Sequence, residues 1–239
     1  MNSQRYTWGV YFIIFLLLLC TCEPVFAQGE EIKETSTWEL IKASGEIGAV
    51  IIILSIIMVA LAVDNFIILR RSRMIPILQL QDLEDLLDEE AYDEIHEICI
   101  SDPNFMTNIF SAALSKIEDG YDAMLTAATN AIEEETIKLQ QRISWLQFIG
   151  AVGPMLGLLG TVTGMITAFS RIANLPGSPQ PRVLAGGIYE ALVTTCQGLI
   201  VAIPAMTFYF YFRNKIVRYS MEISGIMEEI LDRFHKVES

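Results

Sequence analysis

The sequence predicts an all-α membrane protein in which three transmembrane helices are extended by cytoplasmic helices. Of its 239 residues, 52% are hydrophobic, and the mean hydropathy of +0.42 is high for a soluble chain. The apolar excess is concentrated in three runs, each long enough to cross the ~30 Å hydrocarbon core of a bilayer as a helix rising ~1.5 Å per residue. No segment has the alternating pattern of a β-strand.

Charge and motif content exclude several classes of function. The formal net charge is −13, and no basic patch is present, so we predict no nucleic-acid partner. The chain has no phosphate-binding glycine loop, zinc-protease motif or paired cysteine motif. We therefore predict no enzyme activity, no cofactor and no metal site. Cys99 and Cys196 are expected to be small, buried hydrophobic residues.

The N-terminal 27 residues are predicted to be a signal peptide. Arg5 precedes an apolar core from Val10 to Cys20, which is shorter than the ~20 residues a spanning helix needs, and Ala27 offers a small residue at the cleavage point. An uncleaved membrane anchor is the alternative. Residues 28–45 are then expected to form a periplasmic segment.

The predicted spans are residues 46–69, 143–171 and 187–212. Basic residues follow the first and third spans: Arg70, Arg71, Arg73, Arg213, Lys215 and Arg218. Cytoplasmic ends of spans are rich in Lys and Arg, so both ends are assigned to the cytoplasm. Asp64, near the end of the first span, is expected to be an interfacial acid close to these arginines.

This topology divides the rest of the chain into three parts. A cytoplasmic helical domain occupies residues 70–142, a periplasmic loop residues 172–186, and a cytoplasmic C-terminal helix residues 213–239. The N-terminus is therefore predicted to be periplasmic and the C-terminus cytoplasmic in the inner membrane.

The cytoplasmic domain is expected to be helical throughout. Apolar residues near the helical period predict one acidic amphipathic helix: Ile77, Leu80, Leu83, Leu87 and Ile95. Asp102 is expected to cap the next helix, with Pro103 at its first position. A further helix is predicted from Tyr121 to Arg142, with Glu134 and Lys138 paired one turn apart.

Small residues in the second span indicate close helix packing. Helices in lipid gain no hydrophobic free energy from association, so glycines that allow close backbone contact mark their interfaces. Gly157, Thr161, Gly164 and Ala168 share one narrow face. The residues expected to mediate packing are Gly153, Pro154, Gly157, Gly160 and Gly164 in the second span and Gly198 and Pro204 in the third.

Polar residues form a stripe along the third span. Glu190, Thr194, Gln197 and Val201 share a face, and Thr195 lies beside it. Ionisable groups in spans usually face a cavity, a pore or a partner, so the stripe favours hydrated ion passage. Two alternatives stay open: Glu190 reaches interfacial water, and Thr194 bonds only to the carbonyl four residues before it.

The two spans resemble those of the MotA/TolQ/ExbB proton channel family. The second span carries Gly153-Pro154-x-x-Gly157-Leu158-x-Gly160-Thr161-Val162-x-Gly164. The third carries Gly187-Ile188-x-Glu190-Ala191-Leu192-x-x-Thr195-x-x-Gly198-Leu199-x-x-Ala202-Ile203-Pro204. In layout the resemblance covers most of residues 40–239, and three spans favour the ExbB and TolQ branch.

The resemblance implies a function and partners. It implies an inner-membrane subunit that forms a pentameric ring of helices around two copies of a one-span partner of the ExbD or TolR type. Proton flow through the ring would drive a TonB-like or TolA-like protein that acts on the outer membrane. The family's polar channel residues fall on Thr161, Glu190 and Thr195, and Thr194 and Gln197 are added as candidates for lining the channel.

The sequence leaves the branch and the ion open. An ExbB-like role in TonB-dependent uptake is preferred to a TolQ-like role in the Tol-Pal envelope system. A non-conducting scaffold is the remaining alternative. The polar stripe admits either H⁺ or Na⁺, and the resemblance favours H⁺.

Overall fold

The computed structural model describes residues 45–89, 91–174 and 181–237, and every regular element in this part of the chain is helical. The elements are α1 Gly45–Ile68, α2 Arg71–Met74, α3 Ile77–Asp88, α4 Tyr92–Ser101, α5 Phe105–Leu114, a 3-10 turn at Ile117–Asp119, α6 Tyr121–Asn174 and α7 Pro181–Val237. The predicted signal peptide and nearly all of the predicted periplasmic segment lie outside the described residues.

Three helices are long and apolar enough to cross a membrane: α1, α6 and α7. α6 has 54 residues and α7 has 57, so each is ~80 Å or more in length at ~1.5 Å per residue. Each therefore joins a predicted span to a predicted cytoplasmic helix without a break. α6 continues to Asn174 and α7 begins at Pro181, so both ends of the predicted 172–186 loop are helical.

α6 and α7 form a long antiparallel hairpin, and α1 packs across it. At the predicted membrane depth, the Phe66 ring of α1 contacts the rings of Phe208 and Phe212, with centroids 5.8 and 4.9 Å apart. The Tyr219 hydroxyl of α7 donates a hydrogen bond of 3.4 Å to the carbonyl of Leu69. These contacts fix which side of the hairpin faces α1.

The short helices pack on the extended part of the hairpin. α5 buries apolar residues on one face because they recur at helical spacing: Phe105, Met106, Ile109, Phe110 and Ala113. They join a single apolar cluster with Met124 and Ala128 of α6 and Ile223 and Met227 of α7. Glu134 and Lys138 form the predicted pair on α6, with N–O 2.8 Å. The cytoplasmic helices thus share one core with the base of the spans.

Two predictions about the cytoplasmic helices were wrong. The acidic amphipathic segment forms two helices, α3 and α4, separated near Glu89, and each buries apolar residues in the core, Leu83 from α3 and Ile95 from α4. Asp102 does not cap the next helix. Asn104 does: its side-chain oxygen accepts hydrogen bonds from the backbone of Met106 and Thr107, both 3.0 Å.

One further prediction needs correction. Cys99 is buried as expected, and burial raises the pKa of its thiol, but Cys196 is exposed in the single chain. It falls on the outer side of α7, away from α6. Asp64, predicted to be an interfacial acid, pairs with Arg142 of α6, with Oδ2–Nη2 3.3 Å. That ion pair links α1 to the hairpin near the predicted cytoplasmic boundary.

We expect Asn104→Ala to destabilise the protein by about 1–2 kcal/mol, because α5 loses its N-terminal cap. Asn104 also bonds to Gln79 at 2.9 Å, so the start of α5 separates from α3. The measurement is thermal unfolding of the purified protein in detergent. Asn108→Ala is the matched control because the Asn108 side chain has no hydrogen bond to any described residue. Equal losses in the two variants would contradict the assignment of the cap.

Candidate functional site

The spans of α6 and α7 meet through small residues. A Cβ added at Gly153 would lie 3.0 Å from the carbonyl oxygen of Gly198, and one at Gly164 would lie 3.1 Å from Cβ of Ala191. At Gly157 the added atom would lie 3.0 Å from Cα of Thr195. Such backbone contact is the means by which helices associate in lipid.

Gly160 and Gly198 occupy tight positions of this interface. A Cβ at Gly160 would overlap the side chain of Thr194, which is buried. A Cβ at Gly198 would lie 2.5 Å from the carbonyl oxygen of Gly153 and 3.2 Å from Cα of Gly157. Backbone atoms cannot turn aside as side chains do, so only glycine fits position 198.

The two prolines predicted in the interface lie inside continuous helices. Pro154 falls within α6 and Pro204 within α7. Each lacks an N–H and therefore leaves one carbonyl of the preceding turn without its helical hydrogen bond. In membrane helices such groups are tolerated where neighbouring helices or polar side chains lie close.

Two threonine hydroxyls donate hydrogen bonds to carbonyls of α6 at the middle of the hairpin. Thr195 of α7 donates a hydrogen bond of 3.0 Å across the interface to the carbonyl of Gly157. Thr161 of α6 donates one of 2.7 Å to the carbonyl of Leu158. The two acceptors are successive carbonyls of α6, so both hydroxyls are at the same level of the hairpin. The single hydrogen of each hydroxyl is used in that hydrogen bond. Each oxygen can therefore take part in a further hydrogen bond only as an acceptor.

These hydroxyls lie on the side of the hairpin that faces away from α1. Thr195 is about 140° around α7 from Phe208, the ring that contacts α1, at ~100° per residue. Thr161 is displaced about 100° around α6 from Arg142, which pairs with α1. A partner on that side of the hairpin would meet both hydroxyl oxygens.

The other predicted polar residues lie elsewhere on α7. Thr194 is buried in the interface, and its hydroxyl donates a hydrogen bond of 3.0 Å to the carbonyl of Glu190, as in the local alternative drawn from the sequence. The Glu190 side chain is exposed. Gln197 is about 160° around the helix from Thr195, so the two cannot line the same surface. The four predicted residues of α7 therefore do not share one surface.

Sequence analysis did not single out Asn65, a buried polar residue of α1. Its Nδ2 donates a hydrogen bond of 2.7 Å to the carbonyl of Leu61 in the preceding turn. The available signal was a single amide side chain in an otherwise apolar run. Because the amide hydrogen bond closes within α1, the residue is tolerated at the edge of the span without a partner helix.

The basic residues used to predict topology gather where α1 and α7 approach each other. Arg71 pairs with Glu222 of α7, with Nη2–Oε1 2.6 Å. The Lys215 ammonium lies 5.7 and 5.9 Å from the ring centroids of Tyr211 and Tyr219. This arrangement of cations and tyrosines is typical of a membrane–water boundary.

The fold and the site together define a class of protein. Three long apolar helices, a span interface of glycines and polar groups at mid-span characterise an integral membrane helix bundle. Among the described residues, no group of His, Cys, Asp and Glu could hold a metal ion. The arrangement provides hydrogen-bonding groups for water or a cation.

The family model of the MotA/TolQ/ExbB proton channel family matches residues 101–224, slightly more than half of the chain. The chain belongs to this family, and the predicted all-α membrane fold and resemblance are confirmed. The matched range includes all of α6, α7 from Pro181 to Ser224, and the hydroxyls of Thr161 and Thr195. The family and the three helices indicate a protein of the bacterial inner membrane.

Curated relatives carry ExbB names. The chain is 41% identical to biopolymer transport protein exbB1 of Vibrio cholerae over 31% of this chain and 33% of that protein. It is 42% identical to biopolymer transport protein ExbB of Xanthomonas campestris over 38% of this chain and 35% of that protein. The chain is 35% identical to the putative biopolymer transport protein ExbB-like 3 of Synechocystis over 54% of this chain and 64% of that protein. The chain thus spans about a third of the length of the first two relatives.

We expect Gly198→Ala to destabilise the hairpin by about 1–3 kcal/mol, because the added methyl group meets backbone on α6. Thermal unfolding in detergent measures the loss. Gly225→Ala is the matched control on the same helix, since nothing lies within 4 Å of its added Cβ, and it should be neutral or slightly stabilising. Comparable behaviour of the two variants would show that α6 and α7 do not pack through Gly198.

Proposed function

We propose that the chain is the channel subunit of an ExbB–ExbD type complex, which uses the proton motive force to energise TonB-dependent transport across the outer membrane. The observation that carries this function is the pair of hydroxyls, Thr161 and Thr195, held at mid-hairpin on the surface away from α1. The family match covers both helices, and the relatives carry ExbB names. The function is a channel and not an enzyme.

The chemistry of the hydroxyl pair suits proton movement. Both hydroxyl hydrogens are engaged by carbonyls of α6, so the oxygens present lone pairs to whatever lies beside them. They can accept from water, hydronium or a protonated carboxyl group, and they offer no hydrogen to an anion. A carboxyl group on a partner helix would therefore be met in its protonated, neutral form.

The surface that carries the pair is otherwise apolar. Exposed side chains of both helices surround it, including Leu158 and Met165 of α6 and Ile188 and Leu199 of α7. A ring of copies, with these surfaces turned inward, would enclose an apolar guest helix at the level of the hydroxyls. From the family resemblance we propose that this ring is a homopentamer around two copies of an ExbD-like or TolR-like one-span partner, with a TonB-like or TolA-like transducer beyond.

Glu190 is proposed to serve the predicted periplasmic end. It lies on the first described turns of α7, its side chain is exposed, and a carboxylate there raises the local concentration of cations. With the six basic residues toward the other end of the spans, the N-terminus would be periplasmic and the C-terminus cytoplasmic. Protons would then enter near Glu190 and leave toward the long cytoplasmic helices.

A TolQ-like role in the Tol-Pal system is the second candidate within the family. The helices and the hydroxyl pair would serve either role, because both need a ring around a guest helix. ExbB names among the relatives favour uptake. A non-conducting scaffold would also need the glycine interface. It would not need the hydroxyls of Thr161 and Thr195 on the surface away from α1.

We expect Thr195→Val to lower proton flux through the native complex at least tenfold while the complex still assembles, because valine keeps the shape and removes the acceptor oxygen. Thr161→Val should act in the same direction, and Glu190→Gln should lower flux by removing the charge. The measurement is proton uptake by proteoliposomes that contain the complex co-purified with its partner.

Two control variants make that experiment selective. Thr195→Ser keeps the hydroxyl and should retain most of the flux. Thr207→Val removes another hydroxyl of α7, one that bonds only to the carbonyl of Ile203 at 2.9 Å, and should conduct normally. Normal flux in Thr195→Val, Thr161→Val and Glu190→Gln would support the scaffold function instead.

A further inference from the structure

We propose that the start of α3 and the end of α4 form a contact with the surface of the membrane. In this contact, exposed apolar side chains enter the headgroup layer at the arginine-bearing end of the spans, and Arg70 and Arg73 bind anionic phospholipid. The surface lies outside the spans, so the inference goes beyond the proposed function and does not depend on the chain conducting protons.

The first observation is an apolar patch, formed by Ile77 and Leu78 in the first turn of α3 and Ile100 in the last turn of α4. These side chains are 55%, 76% and 66% exposed, although they lie outside the predicted spans. The two turns are held side by side, because Nε2 of Gln79 donates a hydrogen bond of 2.7 Å to Oδ2 of Asp102. Single exposed apolar residues are ordinary, but three on adjoining turns indicate a contact surface.

The second observation is the charge of the segment that leads into the patch. Residues 65–81 include three arginines and no acidic residue, although the chain has 29 acidic residues. Arg71 is paired with Glu222, with Nη2–Oε1 2.6 Å. Arg70 and Arg73 are exposed, and no described acidic side chain pairs with either of them. Two unpaired cations beside an apolar patch complement an anionic lipid surface.

The third observation is the position of the patch along the hairpin. Nδ2 of Asn104 donates a hydrogen bond of 2.9 Å to Oε1 of Gln79, so α5 begins beside the patch. α5 packs along α6 and also contacts α2. Its end leads through the 3-10 turn to Tyr121, where α6 begins at the end farthest from its span. α5 therefore runs away from the membrane, and the patch lies at the end of α5 nearer the spans.

A bilayer surface accounts for all three observations. The headgroup region on each side of the hydrocarbon core is ~5–8 Å thick, and arginine side chains that follow a span directly can reach it. Guanidinium groups bind phosphate through parallel hydrogen bonds, while apolar side chains at the same depth leave water. A second copy of this chain would need acidic groups opposite Arg70 and Arg73 and an apolar face opposite Leu78. An anionic leaflet adjoins the end of α1 and supplies both.

The test measures how close the patch lies to lipid headgroups. The native cysteines are first replaced by alanine: Cys20, Cys22, Cys99 and Cys196. A bimane fluorophore is then attached at Leu78→Cys or, as the matched control, at Glu118→Cys, an exposed position in the 3-10 turn before α6. Each variant, purified with its native partner, is placed in phosphatidylglycerol nanodiscs that contain a lipid with a nitroxide on its headgroup. We expect quenching to be about threefold stronger at residue 78. Equal, weak quenching would overturn the proposal, and blue-shifted emission without quenching would mean that another copy covers the patch.

A second measurement tests the charge with the native cysteines in place. We expect phosphatidylglycerol, compared with phosphatidylcholine alone, to raise the midpoint of thermal unfolding in nanodiscs. The double variant Arg70→Gln, Arg73→Gln should lose at least half of this increase. Lys116→Gln, which removes an exposed cation at the far end of the hairpin, should keep it. No increase in the unsubstituted protein, or equal increases in all three proteins, would overturn anionic phospholipid as the ligand. Proton flux in Thr195→Val tests the proposed function separately.

Discussion

The close approach of α6 and α7 through glycine is the contact on which the other features of this protein depend. In lipid the apolar surfaces of two helices gain nothing by leaving the solvent, so packing must come from direct contact between backbones. Gly157 allows Thr195 to come near enough for its hydroxyl to reach the carbonyl across the interface. The Thr195 hydroxyl can thus take this position because Gly157, opposite it, has no side chain.

α6 and α7 also connect the glycine interface to the helices predicted to lie in the cytoplasm. Each helix continues for many turns, and the extended parts remain joined by polar contacts, such as Thr136 to Ser220 at 3.2 Å and Tyr121 to Asp232 at 3.2 Å. α1 is tied to the hairpin by Arg71 and Glu222 and by the Tyr219 hydrogen bond. Since no loop interrupts α6 or α7 between membrane and cytoplasmic core, a displacement of the spans would be passed on as movement of whole helices.

The sequence predicted those features that depend on composition and period. Apolar runs of sufficient length located the spans, and glycine spacing indicated the face of α6 that meets α7. It also predicted helices that run on from the spans into the cytoplasm, as α6 does through residues 142 and 143, because a change in the surrounding solvent leaves the backbone hydrogen bonds unchanged. It also chose Asp102 as a cap over Asn104, since either side chain can accept from a free N–H, and only the position of the helix against the core decides between them.

The least predictable feature is which way a polar residue faces, and it is the one that matters most for function. A helical wheel groups Glu190, Thr194 and Gln197, but it cannot tell whether that face meets a pore or another helix of the same chain. Once α1 is placed, Glu190 and Gln197 fall toward the α1 side of α7, and Thr194 is buried in the glycine interface. Thr195 lies on the other side of that interface, the side away from α1. A packed interface without a continuous file of polar groups is a barrier to free proton leakage. If the chain conducts protons as proposed, a mobile group would have to carry each proton past this interface, and proton movement would then depend on movement of that group.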